Sequence, residues 1–323
     1  MNSTVGVSAT AGVTAPTDGF PDVRVGSVHL RNPVMTASGT AGYSDQLAAY
    51  VDLSSLGAVV VKSLAPFAWS GNPAPRVHAL EAGMINAVGL QGDGVAAWIS
   101  DSLPRLVARR AAVVASVWGF RPSDYAEAAR MLAPVADQLV AVEVNLSCPN
   151  LDHARAMIAH DAMLSREVIT AVRAELPASL SVWAKLSPNT DRLVSIAESV
   201  LAAGAETLVL VNTVLGMAID TTTRRPVLGN GGGGVSGAAI HAVAVRSVFD
   251  VRVALPHVPI VGVGGISRAH DAIELLMAGA NAVQVGTATF ADPRAVTKVM
   301  RGMQRWAQRH GVRSWEEVSG AAH

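Results

Sequence analysis

Short apolar runs rich in Val, Ala and Leu alternate along the chain with longer segments in which apolar residues recur every three to four positions. We predict eight of these runs as buried strands, at residues 33–38, 57–63, 111–118, 139–147, 179–187, 207–213, 258–265 and 282–288. Amphipathic helical segments lie between them, as at 122–136, 165–176, 191–205 and 269–280. Eight successive strand-then-helix units predict an α/β fold, a closed parallel (β/α)8 TIM barrel, rather than an open doubly wound sheet.

The parts outside the eight units predict the domain organisation. Residues 1–20 are small and nearly uncharged, so we expect a loose N-terminal tail, followed by a β-hairpin within 23–34. Residues 21–310 are predicted as one barrel domain and 311–323 as a C-terminal tail. The segment 71–94 is long for a connection between a strand and a helix, so we expect long βα loops to cover the C-terminal face.

Composition excludes several classes of function. The chain has 25 Lys and Arg against 25 Asp and Glu, a formal net charge of zero, so neither a nucleic-acid nor a membrane-surface partner is expected. No apolar run approaches the ~20 residues of a membrane helix. Cys148 is the only cysteine, which excludes an internal disulfide and an iron–sulfur cluster held by this chain's own cysteines. We therefore expect a cytoplasmic protein, and the histidine spacing predicts no metal site.

A barrel enzyme carries its chemistry where strands end, at the C-terminal face. The predicted strand ends bring polar or glycine residues there, namely Ser38, Lys62, Ser116, Asn145, Ser147, Cys148, Lys185, Asn212, Thr213, Gly264, Gly265, Gly286 and Thr287. Any single one of them is equally explained as a turn former. Lysine and asparagine inside apolar runs are less easily explained in this way, because burying them unpaired costs several kcal/mol.

Glycines end the last two strands, and each strand then leads into a helix. Backbone N–H groups there can approach an anion, so we predict a phosphate site, with ligand-free glycine turns as the alternative. A third glycine-rich segment, 229–240, contains a formal G-x-G-x-x-G, but TTTRRP rather than a buried strand precedes it. We interpret this segment as a flexible loop that closes over a ligand, and not as a dinucleotide fingerprint.

Cys148 follows a predicted strand and precedes the rigid Pro149. It is either a small buried hydrophobe, an inert loop residue or a general base, since a thiol with an ordinary pKa of about 8.5 can take a proton at mildly alkaline pH. The position at a strand end favours the base.

Ten segments in order resemble the class 1 dihydroorotate dehydrogenases: NPVMTASGT, VVVKSLAP, GNPAPRV, MINAVGLQ, VEVNLSCPN, KLSPN, VNTVLGMAID, GGGVSG, VGVGGI and VQVGTA. The resemblance runs from about residue 21 to about residue 300. It implies an FMN-binding (β/α)8 barrel over 21–310 that oxidises dihydroorotate to orotate in pyrimidine biosynthesis.

The resemblance also implies roles for individual residues. Cys148 matches the catalytic base, and Lys62 matches a lysine that orients the substrate ring and stabilises charge developing on its carbonyl. The implied FMN-binding residues are Ser38, Lys62, Ser63, Ser116, Asn145, Lys185, Val211, Gly237, Gly264, Gly265, Gly286 and Thr287. The implied pyrimidine-binding residues are Lys62, Asn86, Ala87, Val88, Gly89, Leu90, Asn145, Asn150, Asn212 and Thr213.

Among the class 1 enzymes, the segment from NTVLGMAID to GGGGVSG looks most like class 1B. That class implies a homodimeric core and a partner subunit that carries FAD and a 2Fe-2S cluster and passes electrons to NAD. Two departures from the family pattern stand out. Ser116 occupies the place of a flavin-contacting asparagine, with the bulky Trp118 beside it, and the loop after Asn150 lacks the usual glycines.

Four other readings are consistent with parts of the sequence. A dihydropyrimidine dehydrogenase-type barrel acting on uracil or thymine would also use FMN and a loop cysteine, although Pro149-Asn150 favours orotate. A class 1A enzyme would use fumarate as the electron acceptor. A Schiff-base lyase would use Lys62 or Lys185, and a catalytically silent flavoprotein would fit the Ser116 departure.

Overall fold

The protein, described here from a computed structural model, is defined for residues 23–147 and 157–323. Eight parallel strands form its centre: β1 (Val34–Thr36), β2 (Val59–Val60), β3 (Val113–Val117), β4 (Ala141–Asn145), β5 (Ser181–Leu186), β6 (Thr207–Leu210), β7 (Ile260–Val263) and β8 (Ala282–Val285). Each lies inside one of the eight predicted runs, so the strand prediction is confirmed.

The strands form one closed ring. Their order is β1-β8-β7-β6-β5-β4-β3-β2, with every pair parallel. A parallel bridge between Met35 and Ala58 joins β1 to β2, where Gly57 N donates to Val34 O at 2.8 Å. The predicted (β/α)8 barrel is therefore confirmed, and all the carboxyl ends of its strands open on one face.

Helices cover the outside of the ring and join successive strands. They are α1 (Gly94–Ala97), α2 (Leu103–Ala108), α3 (Pro122–Leu132), α4 (Ala162–Glu175), α5 (Leu193–Ala202), α6 (His241–Ala254), α7 (Ala269–Met277), α8 (Ala288–Ala291) and α9 (Ala295–His310). A π-helical turn, Trp98–Ser102, joins α1 to α2, and two 3-10 turns, Gln46–Ala49 and Leu53–Ser55, follow β1. In α9, Val296, Val299, Met300 and Met303 are buried at intervals of three and four, which gives the helix one apolar face against the barrel.

The two chain ends of the described barrel domain pack on its surface. The predicted hairpin forms from Val23–Val25 and Val28–Leu30. Ser27 donates from its backbone and hydroxyl to Glu206, just before β6, so the hairpin lies at the N-terminal end of the barrel. Near the C-terminus, Trp315 is buried and Gly320 N donates to Leu276 O at 2.9 Å. Within the described ranges, no helix has the length and apolar character needed to cross a membrane.

A small antiparallel sheet, which we call the lid sheet, lies in the loops beyond the barrel strands. Its strands, in spatial order, are Val214–Gly216, Gly233–Ser236, Gly83–Asn86 and Val77–Leu80. It joins the loop after β2 to the loop after β6. The expectation of a flexible loop at 229–240 is therefore wrong for its centre, because backbone pairing with 83–86 gives residues 233–236 a regular strand conformation.

Candidate active site at the barrel mouth

Ser63, just beyond β2, is the centre of a hydrogen-bonded cluster at the ends of the first four strands. Its Oγ lies 3.2 Å from Ser38 Oγ and 2.9 Å from Ser116 Oγ, and it accepts from Asn145 Nδ2 at 3.2 Å. Ser63, Ser116 and Asn145 are buried. Ser38, Ser116 and Asn145, predicted separately at three strand ends, thus all contact Ser63, which only the family resemblance implied.

Asn145 extends this cluster across the mouth to β6. Its Oδ1 accepts from Asn212 Nδ2 at 3.3 Å and from Ser147 N at 3.2 Å, while Asn212 Oδ1 accepts from Thr213 N at 2.8 Å. The Tyr125 hydroxyl donates to Asn145 O at 2.8 Å. These contacts fix the orientation of the Asn145 and Asn212 amides, both of which were predicted to hold the pyrimidine.

A buried ion pair lies directly beneath the cluster. Lys185 Nζ is 3.6 Å from Glu143 Oε1, and Glu143 also accepts from Ser116 Oγ at 3.3 Å and from Gln284 Nε2 at 2.8 Å. Glu143 and Gln284 are fully buried, and Lys185 is 5% exposed. Lys185 is among the residues predicted from the sequence, whereas Glu143 and Gln284 are not. The available signal was a charged residue inside an apolar strand, two positions before Asn145 and so on the same face.

Lys62 lies at the end of β2, apart from this ion pair. Burial and the positive charge of Arg76 lower its pKa from 10.5 to about 8. Its Nζ lies 5.3 Å from the centroid of the Tyr43 ring, in cation–π geometry. Burial, together with the charge of Asp93, raises the pKa of Tyr43, so that ring stays neutral. Lys62 therefore changes charge in a pH range where an enzyme works.

The backbone carbonyls of the predicted substrate loop at 86–90 accept hydrogen bonds from Trp69 and Asn72. Asn72 Nδ2 donates to Ala87 O at 2.9 Å and Trp69 Nε1 donates to Gly89 O at 2.9 Å. Leu90 has a positive φ of 62°, and the backbone N of Asn72 donates to Val88 O at 3.0 Å. The loop is thus an ordered wall of the mouth.

The lid sheet links this wall to the strand ends. Asn86 Nδ2 donates to Gly234 O at 3.4 Å, and a Cβ at Gly234 would collide with the Thr213 hydroxyl. Asn189 Nδ2 donates to Thr213 O at 2.9 Å. Asn86, Asn212 and Thr213 are therefore brought to one side of the mouth, while the sequence analysis gave Asn189 no role.

A neighbouring part of the mouth, at the ends of β7 and β8, is built from backbone. Gly264 and Gly265 follow β7 and face the start of α6. A Cβ on Gly264 would lie 2.6 Å from Ala244 Cβ, and a Cβ on Gly265 would lie 2.5 Å from His241 Cβ. Gly237, with φ of 91°, precedes the turn that leads into α6. Only residues without a side chain allow the chain to pass this close to the start of a helix, where N–H groups favour an anion.

The last strand completes this glycine side. Gly286 follows β8, where a Cβ would come within 3.3 Å of Ala37 Cβ, and Thr287 Oγ1 donates to Ser236 Oγ at 2.8 Å. Val211, at the end of β6, donates its N–H to Val263 O at 2.8 Å. The predicted phosphate residues are thus brought together on one side of the mouth.

Two of these features fit a flavin mononucleotide. The glycine side offers space and backbone N–H groups to a phosphate. The Lys185 ammonium, although buried, has no nearer polar partner in the described parts of the chain than Glu143 at 3.6 Å, so its remaining donors are available to an electron-rich ligand atom. Cys148 and Asn150 lie outside the described residues. Among those described, no group of three or more His, Cys, Asp or Glu could hold a metal ion.

Fold and mouth together define a (β/α)8 barrel with one side of its mouth built from glycines and another from lysine, serine and amide side chains. A sequence profile of the family described as Dihydroorotate dehydrogenase matches residues 22–306. The chain belongs to this family, whose members are oxidoreductases.

Curated relatives give the same result over nearly the whole chain. The Trichlorobacter lovleyi protein named dihydroorotate dehydrogenase B (NAD(+)), catalytic subunit, is 44% identical over 299 residues, which cover 93% of this chain and 97% of the relative. The Bacteroides thetaiotaomicron protein of the same name is 39% identical with the same coverage. A Solibacter usitatus protein named putative dihydroorotate dehydrogenase A (fumarate) is 44% identical over 91% of this chain and 95% of the relative.

Proposed function

We propose that this chain oxidises dihydroorotate to orotate, with FMN bound in the barrel mouth. The observation that carries the proposal is the hydrogen-bonded cluster in which Ser63, Asn145 and Asn212 meet above the Lys185–Glu143 pair. A planar, polar pyrimidine ring needs several fixed donors and acceptors, and this cluster offers them beside a glycine-built anion site. The membership in the dihydroorotate dehydrogenase family supports the same substrate.

The flavin site follows the residues of the mouth. Gly237, Gly264, Gly265, Gly286 and Thr287 would hold the phosphate, and the other holding residues would be Ser38, Lys62, Ser63, Ser116, Asn145, Lys185 and Val211. When bound, FMN supplies a two-electron acceptor for the hydride that leaves C6 of the substrate. The protein contributes position and charge.

The pyrimidine would lie between the wall and the strand ends. Lys62, Asn145, Asn212 and Thr213 would orient the ring and stabilise charge that develops on its carbonyl. The remaining contacts would come from Asn86, Ala87, Val88, Gly89, Leu90 and Asn150. The amides of Asn145 and Asn212 already hold each other at 3.3 Å, so both are fixed before substrate arrives.

Cys148 would be the general base. It removes the proton from C5 while the hydride leaves C6, and the C5–C6 double bond of orotate forms. The support for this step is the position of Cys148 three residues after Asn145, together with the family motif.

The electrons would pass to NAD through a partner subunit that carries FAD and a 2Fe-2S cluster, on a homodimeric core in the cytoplasm. A single cysteine in this chain means that another chain must supply the cluster ligands. The NAD-linked names of the two relatives quoted first support this acceptor. The fumarate-linked name of the Solibacter usitatus protein keeps direct reduction of fumarate as the second candidate.

Anaerobic mixing with dihydroorotate tests the reaction. The purified chain should carry FMN, and its absorbance near 450 nm should bleach with dihydroorotate but not with dihydrouracil. Bleaching by dihydrouracil alone would instead indicate a dihydropyrimidine dehydrogenase-type enzyme. A colourless protein that borohydride traps with a carbonyl substrate would establish the lyase, and a flavin that neither pyrimidine bleaches would establish the silent flavoprotein. Fumarate added to the reduced chain without any partner separates the two acceptors.

A further inference from the structure

The Glu143 carboxylate lies inside the barrel and takes no part in the reaction as proposed. Both of its oxygens are engaged: Oε1 accepts from Ser116 at 3.3 Å and faces Lys185 Nζ at 3.6 Å, while Oε2 accepts from Gln284 at 2.8 Å. A charge without exposed surface is costly unless such contacts hold it. The burial of this carboxylate under the mouth therefore calls for an explanation.

We infer that Glu143 is a positioning residue that holds the Lys185 ammonium in the mouth and offsets part of its positive charge. Glu143 thereby limits how strongly Lys185 favours the reduced, more negative form of the flavin. This inference rests on the proposed function, because it takes FMN as the ligand of Lys185.

The strand register places the two charges at different depths. Asn145 on β4 lies opposite Lys185 on β5, and Glu143 lies two residues earlier on β4, on the same inward face and one layer deeper. Lys185 therefore stands between the mouth and Glu143. Because little water reaches this interior, the negative charge of Glu143 acts on the Lys185 ammonium with little screening.

The hydrogen bonds around Glu143 leave Lys185 only partly neutralised. Ser116 shares Oε1 with the ammonium, and Gln284 occupies the other oxygen, so the carboxylate cannot turn both oxygens toward Lys185. The contact stays at 3.6 Å rather than at the 2.7–2.9 Å of a close charge-assisted hydrogen bond. A carboxylate held at this distance anchors the lysine and leaves its donors for a ligand.

The reduction potential of bound FMN tests the inference. It is measured by titration with a chemical reductant and reference dyes, without dihydroorotate. Glu143→Gln keeps the shape but removes the negative charge, so reduced FMN should bind about tenfold more tightly relative to oxidised FMN. That ratio corresponds to a shift of about 30 mV to more positive potential for a two-electron couple.

Two further variants separate this role from a general structural one. Glu206→Gln makes the same change at the opposite end of the barrel, where Glu206 binds Ser27, and should leave the potential unchanged. In a Lys185→Met background, Glu143→Gln should change the ratio less than threefold. An unchanged potential in the single variant, or an equal shift without Lys185, would overturn the inference.

Gln284→Met is an alternative test of the inference if Glu143→Gln does not fold. Losing the 2.8 Å donor to Oε2 leaves the carboxylate freer to neutralise Lys185, so the potential should shift to more negative values. A positive shift or none would contradict the inference. The outcome is separate from that of the proposed reaction, since a flavin that dihydroorotate cannot reduce would still report its potential; a chain without FMN would overturn both.

Discussion

The two sides of the barrel mouth are built in opposite ways. On the glycine side, Gly264 and Gly265 bring backbone against His241 and Ala244, and no side chain could be added there without a collision. On the side-chain side, Ser63, Asn145 and Asn212 meet through polar groups at their tips. The glycine side requires that side chains be absent, whereas the side-chain side requires particular polar atoms to be present.

This difference predicts different responses to mutation. Adding a methyl group on the glycine side should weaken ligand binding while leaving every reacting group in place. Removing an atom on the side-chain side should leave FMN bound and change how the substrate binds or reacts. The four predictions below test this division, from the largest expected effect to the smallest.

The largest effect is expected from Cys148, the proposed general base. A general base contributes about 10²–10⁴-fold to a rate, so Cys148→Ala should lower flavin reduction by dihydroorotate by about that factor while FMN stays bound. Cys148→Ser should retain weak activity that rises with pH. Stopped-flow bleaching of the flavin measures both. Near-normal reduction in Cys148→Ala would remove Cys148 as the base.

Gly265→Ala should give the next largest effect, and on binding. The new Cβ would lie 2.5 Å from His241 Cβ at a φ of 70°. Strain of this kind costs about 1–3 kcal/mol, and we expect FMN affinity to fall about 10-fold to 100-fold. Flavin fluorescence titration of the apoprotein measures it.

Gly231→Ala is the matched control for that change. Gly231 has a similar φ of 80°, but nothing lies within 4 Å of its Cβ position. FMN affinity should therefore stay within about twofold of wild type, with only the cost of the backbone conformation. If both variants lost FMN equally, the close approach at Gly265 would not be what builds the anion site.

The side-chain side should also show a pH dependence through Lys62. Its pKa lies near 8, so the ammonium is present below pH 8 and is lost as the pH rises through that value. Binding of the negatively charged orotate should therefore weaken by up to about tenfold between pH 7 and pH 9. Difference spectra of the bound flavin measure this affinity, and in Lys62→Met the profile should be flat. A wild-type affinity independent of pH would mean that the Lys62 charge does not contribute to orotate binding.

The sequence predicted the barrel because each strand is a local apolar run, and closure requires only that eight such runs alternate with helices. It also predicted which residues reach the mouth, since parallel strands all end on one face. Ser38, Asn145 and Asn212 could be predicted in this way without knowing which residues they contact, whereas Ser63 was implied only by the family resemblance.

What the sequence did not predict are the pairings over long distances along the chain. The lid sheet joins 233–236 to 83–86, segments about 150 residues apart whose short, glycine-rich strands carry no clear alternation. The contact of Glu143 with Gln284 likewise depends on how far each strand is staggered around the ring. Stagger is a property of the closed barrel, and no single strand encodes it.

The smallest effect is expected at Ser116, where the sequence departs from its family. The single hydroxyl proton of Ser116 goes to Glu143, so Ser63 donates to Ser116 and itself accepts from Asn145. In Ser116→Ala, Ser63 keeps Asn145 and Glu143 keeps Gln284, so no partner is left without a hydrogen bond.

We therefore expect Ser116→Ala to lower FMN affinity by less than about fivefold, the equivalent of one ordinary hydrogen bond of about 1 kcal/mol. Ser165→Ala is the control for general loss of stability. It also removes a buried hydroxyl, one that donates to Ile158 O and not to the cluster around Ser63. Affinity by fluorescence titration and thermal unfolding are measured on both. A loss of about 100-fold specific to Ser116 would mean that its hydroxyl contacts the flavin directly. Ser116 would then be a true replacement for the family's asparagine and not a link between Ser63 and the buried carboxylate.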